Sequence, residues 1–175
     1  HLVLLAENNT GYQNLMKIVS RGFTEGFYYK PRVDIDELKK YSDGIIALSA
    51  CLAGDISQAL MDRNYEKAKN IALQYRDIFG EGNFYLEIQD HGLPEQKEVN
   101  AALVKLSKEI NIPLVATNDI HYVNKEDSKI HDVLMCIQMG KTVNDPNRMR
   151  FGSDEFYLKS REEMEELFPY APEAI

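Results

Sequence analysis

Four short apolar runs recur along this chain, each followed by a stretch with helical periodicity, and that recurrence limits the folds open to it. The runs are LVLLA (2–6), GIIAL (44–48), NFYLEI (83–88) and PLVAT (113–117). They do not alternate apolar with polar, so each predicts a strand covered on both faces. Buried, non-alternating strands interleaved with helices make a parallel sheet with helices packed on it. Four such units fit half of a (β/α) barrel or a small doubly wound sheet, and the pattern leaves both open. In either case function is expected on the loops that follow the C-terminal ends of the strands.

The helices announce their starts. Thr10 and Gln13, in TGYQ, offer a capping box for a helix whose apolar residues Leu15, Ile18 and Val19 share a face. Asp34 is placed to cap a short helix after GFYYKPRV, and further helices begin near Asp55 and near Asn64. From Asn64 onward, Ala68, Ile71, Ala72, Tyr75 and Phe79 form an inner stripe. Pro94 suits the first turn of the next helix. Asn124 caps the one after, with Ile130, Val133, Leu134 and Ile137 as its expected buried stripe, and Ser160 opens a terminal S-R-E-E box.

With 175 residues the chain has room for one ordinary domain or a large piece of a bigger one. Its net charge of -8 argues against a broadly basic nucleic-acid surface, though not against a small phosphoester site built on metal ions. No apolar run is long enough to cross a bilayer, and no secretory signal opens the chain. Cys51 and Cys136 are too few for a disulfide framework, and a reducing cytoplasm fits. Because the chain opens on His1 inside a strand-like run, it is expected to be part of a longer protein.

Three strand ends carry unusual residues. SACLAG follows the second strand with Cys51, QDHG follows the third with Asp90 and His91, and NDIHY follows the fourth with Asp119 and His121. In extended backbone, residues two apart point the same way, so Asp119 and His121 are expected to face one point. Thiolate, imidazole and carboxylate converging there would suit zinc or a similar divalent ion. Each residue also has an ordinary reading: Asp119 as a turn residue, His121 as a hydrogen-bonded loop histidine, Cys51 as a small buried apolar group, and Asp90–His91 as a loop pair. Cys136 has no chemical role, and His131, one residue off its helix stripe, is expected in solvent or in a local hydrogen bond. Lys30 and Arg32 in YYKPR, and Arg148 and Arg150 in DPNRMRF, either meet phosphate or balance nearby acids.

Several long stretches, in order, carry a resemblance that covers essentially the whole chain: HLVLLAENNTGYQNLMKIVS, EGFYYKPRVD, IIALSACLAGDI, NFYLEIQDHGLPEQ, IPLVATNDIHYV and CIQMGKTVNDPNRMRF. The sequence resembles the PHP (polymerase and histidinol phosphatase) domains of bacterial replicative DNA polymerase III alpha subunits. The resemblance implies a partial distorted (β/α)7 TIM-like barrel with about four β/α units present. Residues 1–155 would be the partial PHP domain, lacking its first strands, and 156–175 a segment leading to the polymerase core. It implies metal ligation by His1, Cys51, Asp119 and His121, with Asp119 and His121 acting in catalysis through bound metal. The family's other ligands, an H-x-H pair, an Asp, a further His and a bridging Glu, match nothing in this chain. His1 precedes its strand whereas the other three follow theirs, which in an all-parallel sheet would put it at the wrong end.

From the same resemblance the parent would be a DNA-directed DNA polymerase, a nucleotidyltransferase acting on primed DNA and deoxynucleoside triphosphates with magnesium. Proofreading and sliding-clamp subunits would be its partners, and no membrane is involved. The PHP part would be a metal-dependent phosphoesterase or 3′–5′ exonuclease-type site holding zinc or manganese, inactive in this chain for want of its other ligands. Lys30, Arg32 and His91 are candidates for substrate contacts. One alternative is a structural module that braces the polymerase and docks the proofreading subunit; another is a free-standing PHP metallophosphatase. A half-barrel is also expected to leave apolar surface open and to dimerise or rearrange.

Overall fold

In the computed structural model, which describes residues 1–175, four strands form one open sheet in the order β1-β2-β3-β4. They are β1 (Val3–Ala6), β2 (Ile45–Leu48), β3 (Phe84–Ile88) and β4 (Leu114–Ala116). Between and after them run α1 (Asn9–Thr24), α2 (Ile35–Lys40), α3 (Asp55–Met61), α4 (Tyr65–Phe79), α5 (Pro94–Ile110), α6 (Ser128–Met139) and α7 (Arg161–Leu167). All four runs read as strands are strands. The all-parallel expectation is corrected at β1: β2, β3 and β4 are parallel, but β1 lies antiparallel to β2, with Val3 opposite Leu48 and Ala6 opposite Ile45. The sheet is therefore mixed. An apolar run without alternation reports burial, not direction, so the sequence carried no signal for this.

One face of the sheet holds the core. Ile45, Ala47, Phe84, Leu86, Ile88 and Leu114 point into it, against Ala68, Ala72, Tyr75 and Phe79 of α4 and Val99, Leu103, Leu106 and Ile110 of α5. The alanines of α4 let its backbone come close, and the α5 residues recur at the helical period. Ile71 packs at the edge of this core. Phe168, Ala171 and Ala174, from the segment that follows α7, join the same core. On the other face Val3 and Leu5 are exposed, while Ile46, Tyr85 and Val115 are half-buried and take no part in the core.

The caps at Asp34, Asn64 and Ser160 form as expected, each side chain accepting a backbone N–H from the first turn of its helix. Pro94 opens α5, and Asn124 caps a 3₁₀ turn (Lys125–Asp127) that leads into α6. The cap of α1 is Asn8, not Thr10: Asn8 is extended and its Oδ1 accepts from Gly11 N at 3.0 Å. The chain turns at once after β1 because the Glu7 N–H donates to the Gly44 carbonyl and Gly11 packs on Gly44. A Cβ on Gly11 would lie 1.8 Å from the Gly44 oxygen, so this approach requires glycine.

Two apolar stripes face outward. Val19, expected inside, lies on an exposed face of α1 with Tyr12, Met16 and Phe23. The stripe of α6 is likewise turned out: Ile130 is 62% and Ile137 71% exposed, with Val133 and Leu134 also exposed, while Met135 and Cys136 are buried. The period placed these residues on one face; it did not say that the face would find a neighbour.

Candidate metal centre

The reversed direction of β1 resolves the placement of His1. Running antiparallel, β1 begins where β2 ends, so His1 sits beside the SACLAG loop. Its Nδ1 lies 4.0 Å from the Cys51 Sγ, and its amino group donates to the Ala53 carbonyl at 3.3 Å. The loop is tightly wound. Ala50 takes a left-handed φ of 63°, Gly54 N donates to the Cys51 carbonyl, and Gln58 Nε2 donates to the Leu52 carbonyl at 2.7 Å. Cys51 is half-buried and its thiol is free.

Asp119 and His121 meet as expected, by a different backbone. Asp119 is not extended but has φ of 35°, and its Oδ1 still lies 3.5 Å from His121 Nε2. Both side chains are partly open to solvent. The His121 N–H donates to the Phe156 carbonyl at 2.9 Å, and the ring packs edgewise on Phe151 and Phe156. His131 does not stand in solvent. Its ring centroid is 5.5 Å from that of His121 and 5.1 Å from that of Phe151, inside an aromatic cluster.

The expected convergence of Cys51 with Asp119 and His121 is not found. Cys51 follows β2 and Asp119 follows β4, with β3 between, a separation of roughly 10 Å at ~4.8 Å per strand. No group of three or more His, Cys, Asp or Glu side chains is close enough to share one ion. The donors form two pairs, imidazole with thiol and imidazole with carboxylate. Each pair has the right chemistry for a divalent ion and supplies half of the roughly four donors such an ion takes. Neither pair alone is a complete donor set for such an ion.

His91 is buried, at 1% exposure, and both ring nitrogens are engaged. Gln96 accepts the His91 backbone N–H through Oε1 at 2.8 Å, which turns its amide nitrogen toward His91 Nδ1, also at 2.8 Å. The ring then carries its proton on Nε2 and donates to the Asn118 carbonyl at 3.0 Å. It stacks on Phe156 at 4.2 Å. Burial holds the imidazole below its ordinary pKa, the Asn118 carbonyl opposing this in part. In this structure His91 ties the loops after β3 and β4 together and presents no free nitrogen to a substrate. Lys30 and Arg32 lie exposed on the loop between α1 and α2, with the Arg32 guanidinium 5.4 Å from the Tyr28 ring. Arg148 is balanced by an acid: it forks onto Asp132 at 2.5 and 2.6 Å and holds that carboxyl below its usual range.

Sequence reasoning missed Glu87. At 5% exposure it accepts from the Ala50 N–H at 3.0 Å and from Gln89 Nε2 at 3.0 Å, and is also hydrogen-bonded by the Thr117 hydroxyl. Its own N–H donates to Ser49 Oγ at 2.8 Å. One carboxylate thus joins the end of β2, the body of β3 and the end of β4, the ground on which both donor pairs stand. The signal was an acid inside the apolar run FYLEI. Lys159, also buried, supports the second pair by donating to Asn118 Oδ1 at 3.3 Å.

The model of the PHP domain family matches residues 1–91, more than half of the chain. This chain belongs to the PHP domain family. The match takes in the His1–Cys51 pair, while Asp119 and His121 lie beyond it. DNA polymerase III subunit alpha of Treponema pallidum is 49% identical over 175 residues, which is all of this PHP chain and 15% of that relative. The protein of the same name from Deinococcus radiodurans is 49% identical over 169 residues, covering 97% of the chain and 13% of the relative. That from Thermus aquaticus is 47% identical over 171 residues, covering 98% and 14%. The chain is thus homologous to the PHP region of these subunits and spans about 15% of the length of the curated relatives it matches. No helix of this PHP chain is long and apolar enough to cross a membrane.

Proposed function

We propose that the chain is the PHP portion of a DNA polymerase III alpha subunit, and that its two donor pairs are parts of a divalent-metal phosphoesterase or 3′–5′ exonuclease-type site. The observation that carries the reading is the arrangement of His1–Cys51 and Asp119–His121 at one end of the sheet, in a chain aligned throughout with such subunits. The uncovered apolar face of the open sheet supports the finer fold reading, a partial (β/α)7 barrel whose interior that face would line. Residues 156–175 would lead toward the polymerase part. That part would use magnesium, deoxynucleoside triphosphates and primed DNA in the cytoplasm, with proofreading and sliding-clamp subunits as partners.

In such a site His1 and Cys51 would hold one zinc or manganese ion, and Asp119 and His121 another. Metal bound there supplies a water of lowered pKa and neutralises charge developing on a phosphoryl oxygen. The chain's own contribution is positional. Glu87 fixes the loops that carry Cys51 and Asp119, and His91 and Lys159 hold Asn118 beside Asp119. Phe151 and Phe156 keep the His121 ring from turning. Lys30 and Arg32 remain candidates for contacts with a strand of DNA.

A second reading, a bracing and docking module, is favoured by the outward apolar stripes of α1 and α6. Elemental mass spectrometry separates the two, applied to this chain and to a version extended through the family's remaining ligands. The metal-site reading expects bound zinc or manganese in the extended form, sharply reduced by Cys51→Ser or Asp119→Asn. Asparagine is chosen because it tolerates the left-handed φ of Asp119. An extended form that folds and holds no metal would reject the hydrolase and leave the scaffold.

A further inference from the structure

Beside the Asp119–His121 pair, on the far side of His131, lies a cavity of about 280 Å³ between the start of α6 and the loop at 148–154. We propose that it is a binding site for the phosphoryl group of a phosphomonoester of mononucleotide size. It is distinct from the metal-donor pairs and requires no metal. Two observations support it.

The first is charge. The chain carries a net charge of -8, yet two cations at this cavity, Lys129 and Arg150, have no carboxylate partner. Of the acids that face it, Asp132 is taken up by the Arg148 fork, and Asp154 shares Lys125, at 3.7 Å, with Glu155. The lining sets Lys129, Arg148 and Arg150 against Asp132 and Asp154, an excess of positive charge in an acidic protein that favours an anion. Ser128 adds a hydroxyl at the cavity wall.

The second is size and lining. A volume of about 280 Å³ lies near the small end of ligand pockets, which run from roughly 300 to 1,000 Å³. It admits a phosphoryl group and a ring. His131 and Phe151 supply an aromatic wall, already held rigid by their packing on each other and on His121. The basic stretch DPNRMRF thus has two different arginines. Arg148 is structural, with its side chain 3% exposed and committed to Asp132 and the Val143 carbonyl. Arg150 donates only to the Val143 carbonyl and keeps most of its guanidinium for a ligand.

The test is isothermal titration calorimetry on the 175-residue chain at low salt with EDTA present, so that phosphate held by metal contributes nothing. The probes are sodium phosphate and 2′-deoxyadenosine 5′-monophosphate. Saturable binding is expected, weakened about tenfold by Lys129→Ala and by Arg150→Ala, the loss of one charge-assisted hydrogen bond. Lys97→Ala, on the exposed side of α5, should leave the affinity unchanged. Equal affinity for the two probes assigns recognition to the phosphoryl group alone, and tighter nucleotide binding adds the aromatic wall; both support the site. No saturable binding of either probe, or an affinity untouched by the paired Lys129→Ala and Arg150→Ala changes, overturns it. So does an equal loss in Lys97→Ala.

Discussion

Replacing Glu87 by alanine should remove much of the stability of this domain, although the residue touches neither donor pair. Its carboxylate is the acceptor for the Ala50 N–H, the Thr117 hydroxyl and one Gln89 amide hydrogen. Gln89 keeps a second acceptor in the Thr117 oxygen at 2.9 Å, so alanine leaves two donors without partners. Each buried donor so orphaned costs about 1–3 kcal/mol, and water reaching the void would offset part of it. The expected loss is about 2–4 kcal/mol, set against about 5–15 kcal/mol for a whole domain. Glu87→Gln is the informative partner. Its amide oxygen can take the Ala50 N–H while its nitrogen faces Thr117 and Gln89, whose own Oε1 is buried without a partner. A rotation of the Gln89 amide would pair the two, and the cost should fall to about 1 kcal/mol. Urea unfolding followed by circular dichroism gives both values by linear extrapolation. Alanine within 1 kcal/mol of the wild type, or glutamine as costly as alanine, would refute the assignment of Glu87 as the joint between the strand ends.

Gly11→Ala should cost about 3 kcal/mol, because its Cβ meets backbone rather than a side chain that can move aside; an unchanged melting temperature would contradict the close approach of α1 to Gly44. The buried, neutral His91 sets a pH dependence. Its folded pKa lies below the ordinary 6.5, so its contribution is complete above that value and is lost as the pH falls through it toward the lower folded value. Unfolding midpoints at pH 7.5 and 5 should differ more for the wild type than for His91→Asn; equal slopes would show that His91 is not the group responsible.

Much of the frame was legible because local chemistry decided it. Asp34, Asn64 and Ser160 cap as read, since a short side chain that can accept from the first turn is usable wherever the chain turns into a helix; Asn124 instead opens the 3₁₀ turn ahead of α6, whose own cap position is Asp127. Asn8 displaced Thr10 because Gly11 must sit against Gly44, a contact between residues 33 positions apart that no local pattern encodes. The direction of β1 was hidden for a related reason: burial looks the same whichever way a strand runs. At the site, Asp119 and His121 were found by their spacing, and His1 with Cys51 by resemblance. The antiparallel pairing that joins the latter two became visible only in three dimensions. Glu87 was passed over because a carboxylate in an apolar run has no meaning until its three donors are known. Its occurrence there was itself the clue.

The order of the strands has a bearing on how this chain acquires its shape. Every ladder in the sheet joins one strand to the next in sequence. No strand waits for a distant segment before it can pair, so the sheet can be laid down from the N-terminal side as successive units emerge during synthesis. His1 and Cys51 are brought together by the first ladder alone, and Asp119 and His121 by three residues of one loop. Each donor pair is therefore finished by its own neighbourhood, and the sheet's later growth only sets the distance between them.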